Sequence, residues 1–546
     1  MSIRSFSDWM GHECDVGLYL CPPAPATYGS SGPPRQGEAV TTTIEREVTG
    51  ADPSGHRIRR TGDLDIETVV AGILNRRPAV GLALGVVDDG GLRFFQGHGL
   101  ADIASNTPIT EDTVFRIGSI TKTFTAIAMM QLWERGLVDL DAPASEYLRG
   151  YRLVPADPTW PAATVRHLLT HTAGIPEVLR LTDLFHPTWG PIDARPPIRS
   201  VEIGGPIPSL VDCYRQGLKT VVEPGSDFAY SNHGFATLGQ IVEDVSAVPL
   251  ERYLREHVFE PLGMTDTDMV RSARVRERLA TGYVLESNGA RAVIDREWVG
   301  SGGGGAYSSS RDMALYVAAL LGDGSNEHGS MLKPETMGAM LQPHYQPDPR
   351  LPGMGLAFFL GDAGGRRLVG HDGILPGFNS SLLIAPDDGV GVIGFTNGSK
   401  AAMVWLATEI ERLMRRLLQV PDVGVRSDVP QHPEIWDQLC GRYRLPLVGD
   451  LRGRLVMGGG AQVLVRGGRL MIRFHTPVPA LYRGFPLHPD DATDPHIFRV
   501  DLSGFGMPTV RLVFGSDHGS GPTAIHTDLG GQPISLYKQT EKVVKK

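Results

Sequence analysis

Lysine follows serine by three positions at three places in the chain: Ser119–Lys122, Ser330–Lys333 and Ser535–Lys538. On a helix this spacing puts hydroxyl and amine on one face, nearly a turn apart, where an uncharged amine can take the hydroxyl proton and make the oxygen a nucleophile. A lysine does this only when neutral, which demands removal from water or neighbouring positive charge. Only the first pair opens an apolar segment. SITKTFTAIAMMQLWER, Ser119 to Arg135, has the length and apolar density of a buried helix, and Gly136 stands where a helix stop belongs. The N-terminus of that helix favours negative charge developing at the serine. Ser330 lies in a Gly-rich, Pro-flanked turn and Ser535 beside the charged C-terminal tail, and both leave the amine in water. Taken by itself, Ser119 could equally cap the helix, a role serine fills often.

Two further patterns occur once each. Tyr-x-Asn is found at a single one of the 14 tyrosines, Tyr230-Ser231-Asn232, at a junction between a loop and the helical segment HGFATLGQIVEDV. A phenol, with a reference pKa of about 10, can serve as general base or acid only beside cations such as Lys122 that favour the phenolate. His-x-Gly is found at a single one of the 17 histidines, His371-Asp372-Gly373, at the start of a strand pattern. Glycine there lets backbone approach a bound acyl group, and an edge strand offers an amide N–H to an oxyanion. Each pattern has a plainer reading, as a tyrosine in a turn and a surface histidine beside one.

These residues need elements to hold them. The 546 residues, 41% hydrophobic and 21% charged, suffice for a large core and two or more units. The net charge of -9 argues against nucleic acid or anionic membrane as the main partner. No apolar run approaches the roughly 20 residues that span a bilayer. The first twenty residues carry Arg4, Asp8, Glu13 and Asp15 in place of a signal-peptide pattern, so the expected location is cytoplasmic by default. Cys14, Cys21, Cys213 and Cys440 have neither metal-ligand nor disulfide-framework spacing. No His, Asp or Glu cluster has metal-ligand spacing, and neither metal nor cofactor is expected. The implied partner is a small-molecule or peptide-like substrate, and no pattern speaks to oligomeric state.

Along the chain, residues 22–60 are rich in Pro, Gly, Ser and Thr, and 1–60 reads as a disordered arm. From Ala79, AVGLALGVVDDGGLRFFQGHGLAD is a β-hairpin pattern. Helical patterns occupy about 164–170, 234–262 and 311–322, three strands fall between 366 and 398, and 400–419 is helical again. This order suits an α+β fold, an antiparallel sheet with helices packed on it and a helical lobe inserted, over 61–420. A linker composition marks 421–434. Runs such as QVLVRG, RLMIRF, HIFRVDL and TVRLVFG then suggest a separate small all-β unit, a barrel or sandwich, over 435–541.

Five segments in order, FRIGSITKTFTA, HLLTHTAGIP, PGSDFAYSNHGFATLGQIVE, GGGGAYSSSRDMALYVAALL and GHDGILPGFNSSL, resemble the serine β-lactamase-like family: class C β-lactamases, D,D-carboxypeptidases, D-aminopeptidases and related esterases. The resemblance covers about 62–418. It implies that Ser119 attacks a carbonyl to form an acyl-enzyme, and that Lys122 and Tyr230 share the proton transfers. Asn232 would bond the substrate and position Lys122, the N–H groups of Ser119 and Ile374 would form the oxyanion hole, and His371 and Gly373 would line the opposite wall. His171, in THTAGIP, reaches the same cleft or is structural. The glycine run Gly302 to Gly305 looks like a chain reversal near the site, because no Gly-Lys-Ser/Thr follows it. Many relatives carry Thr or Ser where Asp372 stands. If its side chain faces the cleft, it would repel a substrate carboxylate and leave neutral or amine-bearing substrates favoured. LCGRYRLP resembles the start of lipocalin-like barrels that follow this catalytic unit in some relatives.

The function expected is a serine hydrolase acting on esters or amides of small or D-configured substrates. The alternatives are a D,D-carboxypeptidase or β-lactamase, against which Asp372 and the missing signal pattern count, and a non-catalytic binding or scaffold protein retaining the fold.

Overall fold

The structure, a computed structural model, describes residues 41–45, 66–177, 200–286, 288–400, 402–422, 424–446, 458–476, 479–505, 509–516 and 522–539. The hairpin pattern after Ala79 forms strands Gly81–Asp88 and Gly91–Asp102, joined through Asp89 (φ 51°) and Gly90 (φ 75°). Two successive left-handed residues twist the chain as a two-residue hairpin requires, which is why an Asp-Gly pair is the signal for it.

These strands belong to an antiparallel sheet whose order is Thr41–Glu45, Gly91–Asp102, Gly81–Asp88, Val390–Thr396, Phe378–Ala385, Arg366–Leu375 and Phe359–Ala363. The sheet is apolar on both faces because each is covered. Helices Ile66–Arg76 and Ala402–Leu417 pack Val70, Trp405 and Ile410 against Leu84 and Val392 on one face. On the other, helices Thr121–Glu134, Asn232–Ser246 and Ser310–Leu321 bury Phe124, Phe235 and Tyr316 with Phe395. Thr121–Glu134 is buried nearly all round, as its unbroken apolar sequence requires. Burying each large side chain of this kind contributes ~1.5–3 kcal/mol. The fold class is that expected: an antiparallel sheet with packed helices and an inserted helical lobe.

Two expectations are corrected in detail. Thr41–Glu45, within the arm read as disordered, forms an edge strand whose Ile44 pairs with Phe95, and its β-branched residues suit a pleated edge. The rest of 1–60 lies outside the described residues. The pattern over 234–262 is not one helix but three pieces, Asn232–Ser246, Leu250–Leu254 and a π turn at Arg255–Phe259. The break falls where Ala247 takes φ 59° and Pro249 lacks an N–H.

The C-terminal strands form a nine-stranded antiparallel sheet, nearly closed into a barrel, running from Phe485–Pro486 through Gly441–Arg444 and Gln532–Lys538 to His488–Pro489. It encloses Tyr443, Ile472, Phe498, Phe514 and Ile525. Its contacts reach the first unit. The Tyr537 hydroxyl donates to Asp227 at 2.6 Å, and Arg350 donates to Asp494 at 2.7 Å. Gly531, at the Leu529–Gln532 turn, comes so close to Phe359 that a Cβ there would lie 3.0 Å from its Cβ. Among the described residues, no helix is long and apolar enough to cross a membrane.

Candidate active site

Ser119 lies in a short 3-10 turn, Gly118–Ile120, that leads into helix Thr121–Glu134. Threonines tie this entry down. The Thr121 hydroxyl donates to the Gly118 carbonyl and accepts from Ala306 N, and Thr125 donates to the Gly302 carbonyl at 2.8 Å. Lys122 is fully buried at the next turn, 2.9 Å from the Ser119 hydroxyl. Its amine also donates to Asn232 Oδ1 and to the Gly303 carbonyl, both at 2.5 Å.

That coordination has a chemical consequence. An uncharged amine has two N–H bonds and one lone pair. The two carbonyl oxygens can only accept, so they hold the two N–H bonds and turn the lone pair toward Ser119. Burial lowers the Lys122 pKa from its ordinary value to about 7, against the opposing pull of Glu177. The amine is therefore available as a base near neutrality.

Glu177 is a residue that the sequence reading missed. Its carboxylate accepts from Asn232 Nδ2 at 2.7 Å and from Asn232 N at 2.8 Å. Holding the amide nitrogen fixes which end of Asn232 faces Lys122, so the oxygen and not the nitrogen meets the amine. The signal for it was the acidic residue ending THTAGIPE, yet one carboxylate two residues past a turn has no distinguishing pattern. Gly303 was likewise read only as part of a chain reversal.

Tyr230 reaches the same hydroxyl, to which its own is hydrogen-bonded. Its ring stacks on His171 with centroids 4.3 Å apart, and the Lys122 amine lies 4.8 Å from the ring centre. His171, 2% exposed and at φ 58°, accepts from Ser231 N through Nδ1 at 3.1 Å, while its carbonyl accepts from Ala229 N at 2.7 Å. His171 thus fixes the chain on both sides of Tyr230. Burial first, then Lys122 and His371, holds its pKa well below the usual value, so the ring is neutral. Burial drives the Tyr230 pKa upward. The expectation that a neighbouring cation would favour the phenolate is therefore reversed: with desolvation dominant, the phenol keeps its proton and can donate it.

The facing wall is strand Arg366–Leu375. Its partner Phe359–Ala363 ends at the Phe359–Gly370 pair, so among the described residues, 371–375 are paired with Phe378–Ala385 alone and leave an open edge. Two glycines bring this edge against the turn that carries Ser119. A Cβ on Gly373 would lie 2.0 Å from the Ile117 carbonyl oxygen, and a Cβ on Gly118 would lie 2.9 Å from Ile374 N. The Ile374 amide is consequently brought beside Ser119, as an oxyanion hole needs. His371 packs on Phe359 with centroids 4.8 Å apart, and its Nδ1 donates to the Asp372 carbonyl at 2.7 Å. Burial and Lys122 push its pKa down to about 3, so this ring is neutral as well.

Asp372 faces away from the cleft. Strand alternation groups Gly373 with Ser380, whose hydroxyl donates to the Ile117 carbonyl. It groups Asp372 with Ser381 and Gly394, and a Cβ on Gly394 would touch Ile410 of helix Ala402–Leu417. There burial pushes the Asp372 pKa up to about 6, with the Ser381 hydroxyl opposing and Glu411 reinforcing the shift. The condition under which it would repel a substrate carboxylate is not met. No group of three or more His, Cys, Asp or Glu among the described residues could hold a metal ion.

Comparison with known proteins agrees with this architecture. Residues 66–411 match the family model described as Beta-lactamase. A Beta-lactamase of Yersinia enterocolitica is 28% identical over 301 residues, covering 54% of this chain and 69% of its own. Esterase EstB of Burkholderia gladioli is 29% identical over 279 residues, covering 47% of this chain and 69% of its own. The first curated relatives are matched over 62% to 69% of their length. Among solved structures, the octameric penicillin-binding protein homologue from Pyrococcus abyssi superposes with a TM-score of 0.56 at 24% identity, covering 87% of this chain and 100% of that one, a likeness of fold.

Proposed function

The chain belongs to the β-lactamase family, and from that premise we propose that it is a serine hydrolase working through an acyl-enzyme on esters or amides of small or D-configured substrates. The observation that carries this reading is the lone-pair geometry at Lys122: a buried amine 2.9 Å from Ser119 with two carbonyls occupying its N–H bonds.

The reaction follows from the positions. Substrate lies along the open edge of residues 371–375 with its carbonyl oxygen between the N–H groups of Ser119 and Ile374. Lys122 takes the Ser119 proton as Oγ bonds to the carbonyl carbon. The negative charge passes to the carbonyl oxygen, where the two N–H groups and the helix entry stabilise it. Tyr230, protonated and hydrogen-bonded to the Ser119 oxygen, gives its proton to the departing oxygen or nitrogen and is reprotonated from Lys122. The carbonyl re-forms as the leaving-group bond breaks. Water then attacks the acyl-enzyme with Lys122 receiving its proton, and as the acyl–Oγ bond breaks Tyr230 returns a proton to Ser119 and is reprotonated from Lys122. Asn232, held by Glu177, keeps the amine oriented in both steps.

A fluorophosphonate probe should label Ser119, and Ser119→Ala should abolish both labelling and p-nitrophenyl ester hydrolysis. Labelling retained in the variant would reject the assignment. A panel of short-chain esters, D-amino acid amides and nitrocefin would then separate the substrate classes.

A further inference from the structure

Beyond the end of the oxyanion strand lies a cavity of about 100 Å³ that the mechanism does not use. Leu375 and Pro376, which follow Ile374 directly, form one side of it, and Arg116, three residues before Ser119, forms another. The wall of the cavity therefore begins one residue past the Ile374 amide. Ligand pockets for drug-sized molecules run to ~300–1,000 Å³, so this one suits a short chain.

Its lining combines an apolar body with concentrated positive charge. Trp298 and Phe378 supply flat walls. Three arginines, Arg116, Arg271 and Arg296, line it together with one acidic residue, Asp295. That carboxylate is shared: Arg116 donates to one oxygen, and Arg271 stands 3.6 Å from the other. Arg296 is spent on Ser200, a neutral partner, at 2.7 Å. The lining side chains therefore retain a positive excess. Three donors there are also unmatched among the described residues, Arg271 Nε being one. Arg116 is 5% exposed and Trp298 9%, yet neither Arg116 Nε nor Trp298 Nε1 has a hydrogen-bond acceptor. Buried N–H groups are nearly always matched. Arg271, by contrast, keeps 31% of its side chain exposed and can meet an incoming group.

We propose that this cavity receives the acyl arm of the substrate and that the acyl group it selects is a short aliphatic chain ending in a carboxylate, paired with Arg271. This deepens the hydrolase reading and rests on it. Asp372, turned to the far side of the sheet, does not oppose such a substrate.

The test compares two p-nitrophenyl esters with the same acyl length, the mono-ester of adipic acid and its methyl-capped counterpart. The carboxylate-ended ester should have the larger kcat/KM, on the order of tenfold at low salt, as charge-assisted pairing provides. The advantage should shrink with added salt, and the ratio should fall toward one in Arg271→Gln. An equal or greater kcat/KM for the capped ester in the unmutated protein overturns the proposal, as does a ratio that Arg271→Gln leaves unchanged. Should neither ester turn over, calorimetry of Ser119→Ala with monomethyl adipate against methyl hexanoate still reads the cavity. Tighter binding of the former supports the proposal and equal binding overturns it. Failure of the hydrolase reading shows separately, as absence of Ser119 labelling by the fluorophosphonate.

Discussion

The serine–lysine spacing at residues 119 and 122 recurs at 330 and 333, and the two regions differ in everything except that spacing. Ser119 enters a helix and its lysine is buried under two carbonyl oxygens. Ser330 donates to the Leu332 carbonyl at 2.9 Å in a turn, and Lys333 stands exposed at the head of helix Pro334–Met340. The pair at 535 and 538 lies on strand Gln532–Lys538, where residues three apart point to opposite faces. A hydroxyl and an amine become a catalytic pair only when one helical turn joins them and the surroundings withhold water from the amine.

The sharpest way to break this contrast is to delete each member. Ser119→Ala should remove ester hydrolysis, and Lys122→Ala should lower kcat by ~10²–10⁴, the usual range for a positioned acid–base group. Lys333→Ala should stay within about twofold by the same steady-state assay. A loss at Lys333 comparable with that at Lys122 would void the distinction. Next in size, Gly373→Ala forces a Cβ to 2.0 Å from the Ile117 carbonyl oxygen and must part the strand from the Ser119 turn. We expect kcat to fall by on the order of a hundredfold, the scale of a lost oxyanion donor, with little change in thermal midpoint beyond that of a ~1–3 kcal/mol overpacking.

A smaller effect sharpens the electrostatic side. Glu177 raises the proton affinity of Lys122, so Glu177→Gln should move the acid limb of the kcat/KM profile to lower pH while also loosening Asn232. The sign is fixed: removing a negative neighbour favours the uncharged amine. An acid limb moving upward would mean that Glu177 acts otherwise. Least of all, Tyr537→Phe deletes the hydrogen bond from the barrel to Asp227, three residues before Tyr230. It should cost ~0.5–1.5 kcal/mol in denaturant unfolding with kcat changed only a few-fold.

Local patterns made much of this legible. The Asp-Gly turn, the apolar run after Ser119 with Gly136 behind it, and the three strands between 366 and 396 were readable because each rests on neighbours in sequence. The motif residues Ser119, Lys122, Tyr230 and Asn232 were found by type and order, and the fold joins them through contacts 110 residues apart, as between Lys122 and Asn232. What stayed hidden depends on tertiary surroundings. Glu177 and the Gly303 carbonyl have no pattern of their own, because a buried acceptor is defined by what it faces. The protonation of Tyr230 ran opposite to expectation because desolvation outweighs the opposing hydrogen bond to Ser119. The direction of Asp372 required the register of Arg366–Leu375 against its neighbours, which a single residue in a motif does not disclose.

The central claim is that an uncharged amine at Lys122 draws the proton from Ser119. The rate at which a fluorophosphonate labels Ser119, followed by mass spectrometry across pH, reads that proton transfer without reference to substrate. The account predicts a rate that rises through a single ionisation near pH 7, the value to which burial brings Lys122. A rate that climbs only above about pH 9, toward the reference lysine value of about 10.4, would contradict it.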